Sequence, residues 1–284
     1  MNVGTSTLCA VPKPLLTLER QSGWVPLDFA EVWRFRDLLL TLATRDIRLR
    51  YRQTAIGAAW VILQPLMTAG IFSFVFGIIA HLPNDGIPYL LLTYTGTLAY
   101  NVFSTTLGKA SGCLIGNAHL VSKVYFPRMV LPLSTAVSTL LDFAVCLAIL
   151  PILMAIYHVH FGWQILLLPI WLGFILMLAL GIGLYAAALT VGYRDVQNML
   201  PVVLQMVFFA SPVGYVVKSV PHRFLGPYFL NPLASLIEAF RWSCLRTGEL
   251  HPGYLTYSIV LSVVAMFVGS MAFRRMERKF ADII

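Results

Sequence analysis

Charged residues are what this sequence has least of. Aspartate, glutamate, lysine and arginine together make up 11% of its 284 residues, against 58% hydrophobic, and the mean hydropathy is +0.79. A soluble domain carries about a quarter charged residues, so a water-dispersed globule is excluded and an integral membrane protein is expected. No G-x-x-x-x-G-K-[ST] occurs, which excludes a Walker phosphate cradle and ATP hydrolysis by this chain alone. No Asp-x-Asp pair offers the metal seat of a glycosyltransferase. No H-E-x-x-H is present either, and His158 and His160 are spaced to point their rings apart. The stretch "GKASG" at 108–112 is one residue too long for the Gly-x-Ser-Gly of an intramembrane serine protease. Cys9, Cys113, Cys146 and Cys244 form no CxxC and read as small buried hydrophobes. No metal site and no catalytic cluster is therefore expected. The net charge of +8 is not gathered on a basic, aromatic face, so nucleic acid is not an expected partner. The opening "MNVGTSTLCAVPKP" lacks an apolar run, so insertion is expected to be directed by internal spans rather than a cleaved signal.

Long apolar runs are what the sequence has instead. A spanning helix needs about 20 largely apolar residues. Five windows supply them, at about 55–80, 88–108, 130–157, 164–191 and 254–273, and a shorter one lies at about 200–217, beginning at Pro201. "HLPNDG", "HVHFGW" and "GYRDVQN" punctuate them. Six spans put both termini on one side. Sixteen of the 20 lysines and arginines then fall on that side, among them Arg45, Arg48, Arg50 and Arg52 before the first span and Lys109, Lys123 and Arg128 between the second and third. Lys218, Arg223, Arg241 and Arg246 fall on the other. The positive-inside rule makes the first side cytoplasmic. The expected fold class is all-α, a polytopic membrane protein of six transmembrane helices.

Two segments do not read as spans. In "DFAEVWRFRDLLLTLATRDIRLR", Phe29, Trp33, Leu40, Ala43 and Ile47 recur at helical spacing opposite Glu31, Arg34, Asp37, Thr41, Arg45 and Arg48. That pattern predicts an amphipathic helix lying in the membrane interface, either an anchor or a lever that a cytoplasmic partner pushes. Between spans five and six, "SVPHRFLGPYFLNPLASLIEAFRWSCLRTGELHPG" is apolar but broken by Pro221, Pro227, Pro232 and Pro252. Asn231 and Pro232 make a helix start, Asn as N-cap and Pro at the first helical position. The helix from Pro232 to about Arg246 is too short to cross, and re-entrant helices over about 218–250 are expected. Glu238 and Arg241, three residues apart, can share a face of that helix. Asp142 falls near the centre of span three, where an ionisable group needs a partner. With no charged group expected at its depth, a helix-to-helix hydrogen bond is its expected role.

The motifs "RDIRLRYRQTAIGAAWVILQPL", "LVSKVYFPRMVLP", "GYRDVQNMLP" and "NPLASLIEAFRWS" occur in the order seen in bacterial ATP-binding-cassette permeases that export cell-surface polysaccharide, such as O-antigen, capsule, teichoic-acid and galactan exporters. The chain resembles that family over about residues 29–280. The expected organisation is a tail at 1–28, outside the likeness, then an interface helix and basic stop at 29–52, a six-span permease domain at 53–273 and a cytoplasmic tail at 274–284, in what the likeness implies is the bacterial inner membrane. The likeness also implies a permease homodimer with two copies of a cassette ATPase subunit, which would hold ATP and Mg, and a lipid-linked polysaccharide as substrate; this chain itself would hold no cofactor. ATPase contact would fall on the interface helix, with Phe29 and Trp33, and on the turn after span two, with Tyr125 and Phe126 as anchors and Lys123 and Arg128 at the rim. Spans one and five would line the channel. Gln64 beside the helix-bending Pro65 would then either face the substrate or bond a neighbouring helix. Trp60, Phe74, Phe208, Phe209 and Tyr215 are candidate stacking surfaces for sugar rings. Asn231, Pro232, Glu238 and Arg241 would belong to the gate. A drug or small-lipid exporter of the same architecture, or a membrane enzyme acting on lipid-linked sugar, are the alternatives.

Overall fold

The computed structural model describes residues 33–51, 59–84, 86–123, 126–160, 162–193, 195–248 and 250–283. Phe29, Tyr125 and the tail at 1–28 lie outside the described residues. Among the described residues every regular element is a helix. In chain order they are α1 (Arg36–Tyr51), α2 (Ala59–Phe72, continued by a π-helical turn Ser73–Ile79), α3 (Tyr89–Gly116), α4 (Ala118–Lys123), α5 (Val130–Leu147), α6 (Ile149–Ile156), α7 (Leu168–Gly192), α8 (Asp195–Phe209), α9 (Leu225–Phe229), α10 (Pro232–Leu245) and α11 (Pro252–Ile283).

Among the described residues four helical stretches are long and apolar enough to cross a membrane: Ala59–Ile79, Val130–Ile156, Trp163–Gly192 and Pro252–Glu277. The shortest has 21 residues, about 32 Å at 1.5 Å per residue, which matches a hydrocarbon core of about 30 Å. The expected windows at 88–108 and 200–217 are also helical, but differently. The first is part of the 28-residue α3, long enough but carrying Thr93, Thr95, Thr97, Asn101 and Lys109. Nineteen of its residues are buried by neighbouring helices, so its composition need not suit lipid. The second is displaced: α8 covers Asp195–Phe209, and the backbone leaves the helix at Ala210.

α3 and α7 form the centre. α3 packs on α7, α5, α2 and α10, and α7 also carries α11 along its length. That last contact is backbone to backbone. A Cβ added at Gly269 would collide with the Gly181 carbonyl, and one at Gly181 with the Ala265–Met266 peptide. At Gly183 a Cβ would come within 2.8 Å of Ala110 on α3. Small residues at helix crossings replace, by close packing, the hydrophobic drive that lipid removes.

α1 docks at one end of this bundle, but not on the expected stripe. Phe35, Leu38, Leu39 and Leu42 pack in a cluster with Leu114, Val121, Met129, Leu184 and Phe273. Among the described residues of the expected apolar face only Ala43 is buried, while Trp33 and Leu40 are exposed and Arg36 lies 5.4 Å over the Trp33 ring. The sequence holds two overlapping apolar stripes, and the bundle takes the one with more branched bulk. Arg45 secures the helix by donating to Asn117 at 2.6 Å, beyond the end of α3.

Candidate functional site

Pro65 sits in the middle of α2 and has no N–H to give the Val61 carbonyl. The Cys146 thiol of α5 donates to that carbonyl instead, at 3.3 Å. Thr93 of α3 donates to Ala69 at 3.0 Å, so α2 is tied to two neighbours by side chains. Gln64 is exposed rather than bonded inward, and it shares an outer stripe with Trp60, Met67, Ile71 and Phe74. α8 has no buried residue, and its Phe209 is exposed. The six candidate channel-lining residues therefore divide. Trp60, Gln64, Phe74 and Phe209 lie on open faces. Phe208 is half-buried, 5.5 Å from Phe72 and 4.9 Å from Tyr100 between ring centroids, and Tyr215 is half-buried with its hydroxyl donating to Phe209 at 3.2 Å. Phe72 and Phe76, stacked at 5.4 Å, complete this aromatic group and were not singled out from the sequence.

The segment after α8 is held by buried charge. Asn231 caps α10 by accepting from the Leu233 N–H at 3.1 Å, and its amide donates to Ser211 Oγ at 2.8 Å. On the same helix, Arg241 and Glu238 pair at 3.2 Å with side chains only 1% and 2% exposed. Neither ends there. Arg241 donates to the carbonyls of Pro212, Val213 and Tyr215, and Glu238 accepts the Val217 N–H at 3.2 Å. Tyr89 of α3 donates to the Gly214 carbonyl at 2.9 Å. The unwound carbonyls that continue α8 thus meet a guanidinium, as helix C-terminal carbonyls favour. Gly96 makes this possible, because a Cβ there would stand 2.8 Å from Arg241 Nη2 and 2.6 Å from the Val213 oxygen. Twelve of the 14 residues of α10 are buried, which suits a helix enclosed by the bundle.

At the α1 end, Lys123 is exposed as expected, but Phe126 is 7% exposed and packed in the chain's own interior. It cannot serve as an anchor in a partner's groove. Arg128 is half-buried and bonded to Glu277 of α11, its Nη1 donating to the backbone carbonyl at 2.7 Å.

The structure also corrects Asp142. Lys109, expected in a connecting loop, is within α3, and its ammonium stands 3.3 Å from the Asp142 carboxylate of α5. Asp142 therefore has a charged partner at its own depth.

With this geometry in place, the sequence profile of the ABC-2 type transporter matches residues 37–245, from α1 to the last residue of α10. The chain belongs to that family. Its relatives match nearly end to end. The O-antigen export system permease protein RfbA of Myxococcus xanthus is 27% identical over 258 residues, 89% of this chain and 98% of that protein. RfbA of Klebsiella pneumoniae is 25% identical over 254 residues, 87% and 95% of the two chains. The polysialic acid transport protein KpsM of Escherichia coli is 27% identical over 244 residues, 83% and 92%. The ABC-2 match takes in the proline-bearing α2, the exposed α8 and the whole charge-held segment, and stops short of α11.

Proposed function

We propose that this chain is the membrane subunit of an ATP-driven exporter of lipid-linked cell-surface polysaccharide. The observation that carries the reading is the near full-length match to permeases named for two different bacterial polysaccharides, O-antigen and polysialic acid. Geometry supports it. α2 and α8 leave aromatic and apolar faces uncovered, and a face built of rings and aliphatic chain can slide along a glycan without fixing one linkage. Two copies of the chain, meeting across these faces, enclose the path. Energy comes from two cassette ATPase subunits that bind ATP and Mg, seated against Trp33 on the outer stripe of α1 and against Lys123 and Arg128. α3 and α8 join the four apolar stretches as spans, giving six, with α9 and α10 as re-entrant helices around Asn231, Pro232, Glu238 and Arg241 that gate the outer end. Both termini are cytoplasmic, in the bacterial inner membrane.

Deleting the gene in its host tests this directly. Surface polysaccharide should disappear while lipid-linked chains accumulate inside, and the intact gene should restore export. Unchanged surface glycan in the deletion strain would sink the reading.

A further inference from the structure

The turn between α4 and α5 is tied to one other element with unusual completeness. Phe126 and Met129 pack in the same cluster as Phe273 and Met276 of α11. The Arg128 backbone N–H donates to Glu277 Oε1 at 3.2 Å, and Arg128 Nη1 donates to the Glu277 carbonyl at 2.7 Å. One turn earlier on α11, Arg274 Nε contacts Met129 Sδ at 3.4 Å. A single glutamate therefore fixes both the backbone and the guanidinium of the turn, and an apolar seat holds it from the side.

What α11 does with that grip follows from its length. It continues as one helix from Pro252 to Ile283, and its only proline is the first residue. Glu277 and Tyr254 are 23 positions apart, about 35 Å of stiff helix. At the far end Tyr254 stacks on Phe229 of α9 with ring centroids 4.5 Å apart and planes 12° from parallel, and His251 meets the Phe229 ring edge-on at 5.3 Å. α9 leads within three residues into α10, which also packs on α11. One helix thus touches the turn that faces the ATPase at one end and the approach to α10 at the other.

We propose that Glu277 is a positioning residue for energy transmission, coupling displacement of the Phe126–Met129 turn to α11 and through it to α9 and α10. This rests on the export reading. It adds a route that bypasses the channel-facing helices, because α2 and α8 take no part in it. The carboxylate acts as a hydrogen-bond acceptor, its oxygen receiving the Arg128 backbone N–H.

The test uses the full transporter, this chain with its cassette ATPase subunits, in membrane vesicles. A cysteine placed at Leu230, 68% exposed beside the Phe229–Tyr254 stack, is labelled with a membrane-impermeant maleimide with and without vanadate-trapped nucleotide. The intact chain should show a nucleotide-dependent change in labelling rate. Glu277→Ala should shrink that change roughly tenfold, the factor carried by one charge-assisted hydrogen bond, while ATP hydrolysis continues. Glu277→Gln keeps an oxygen acceptor and should retain most of the change. If Glu277→Ala is not produced, Glu277→Ser, whose shorter side chain also falls out of reach of the Arg128 N–H, should give the same loss. An unaltered change in Glu277→Ala overturns the proposal. So does an equal fall in ATPase capture, hydrolysis and labelling that Gln fails to rescue, which marks a purely structural contact. An intact chain that captures the ATPase but shows no nucleotide-dependent labelling also overturns it. One that captures no ATPase overturns the export reading itself, before any substitution at 277.

Discussion

Lys109 of α3 and Asp142 of α5 stand 3.3 Å apart, with Ser138 Oγ and Thr139 Oγ1 each 3.4 Å from the same ammonium. Their side chains are 23% and 13% exposed, so the pair is largely withdrawn from water. Removing one member leaves the other charged and poorly solvated. Asp142→Leu or Lys109→Met alone should cost about 3 kcal/mol, and the double replacement should recover most of it. Thermal unfolding in detergent measures this. A double variant as unstable as the sum of the singles would mean that the two charges do not compensate each other.

The Glu238–Arg241 pair behaves differently. Its two residues lie three apart on a helix, a spacing that suggests a swap of charges could preserve the bond. The backbone forbids it. Arg241 serves three carbonyls and Glu238 serves the Val217 N–H, and neither set accepts the opposite group. Glu238→Arg/Arg241→Glu should therefore be at least as defective as Glu238→Gln. Arg241→Lys should also fail, because an ammonium cannot reproduce the planar fork. Surface polysaccharide and ion leak report the outcome, and restored export in the swapped variant would contradict the geometry.

A double-mutant cycle probes the break that Pro65 makes in the hydrogen bonding of α2. The Cys146 thiol matters here only because Pro65 leaves the Val61 carbonyl without its helical donor. Cys146→Ala should cost about 1 kcal/mol in the native chain and nearly nothing in a Pro65→Ala background, where the substituted alanine supplies the missing N–H. Equal costs in both backgrounds would show that the thiol contributes by packing.

Two aromatics near the α1 end should separate stability from coupling. Phe126→Ala empties a buried site and should lower stability by about 3 kcal/mol. Trp33, 69% exposed, should cost less than about 0.5 kcal/mol when replaced by Ala. It should instead reduce export per ATP hydrolysed. Normal coupling in Trp33→Ala would remove this stripe from the ATPase contact.

These residues show where the sequence was readable and where it was not. Asn231 and Pro232 announced a helix start because capping is local, and the capping bond forms as that rule requires. Pro65 announced a missing helical N–H for the same reason. The donor that answers it lies 85 positions away, a distance over which hydropathy carries no information. Lys109 was misplaced because an apolar window ends where polar residues begin, whereas α3, shielded by the surrounding helices, continues to Gly116. The α1 face was ambiguous because Trp33–Leu40–Ile47 and Phe35–Leu38–Leu42 both satisfy a helical period. Only the bundle decides between them. The charge cluster was seen as a pair and missed as a scaffold, since backbone acceptors leave no mark on composition.

Topology is checked by fusions. Reporters after Asn84 and His160 should read periplasmic, and reporters after Ser122 and Asp195 cytoplasmic. A cytoplasmic signal after His160 would break the six-span arrangement.

The crossing of α7 and α11 at Gly181 and Gly269 constrains how such a molecule can work. With peptide planes in contact and no side chains between them, the two helices have no slack in which to slide past each other. They are a single beam, and a push on either one carries both. Any change of shape between parts of the chain must then be taken up elsewhere, and α8, none of whose residues is buried, is the member with the fewest ties to hold it back.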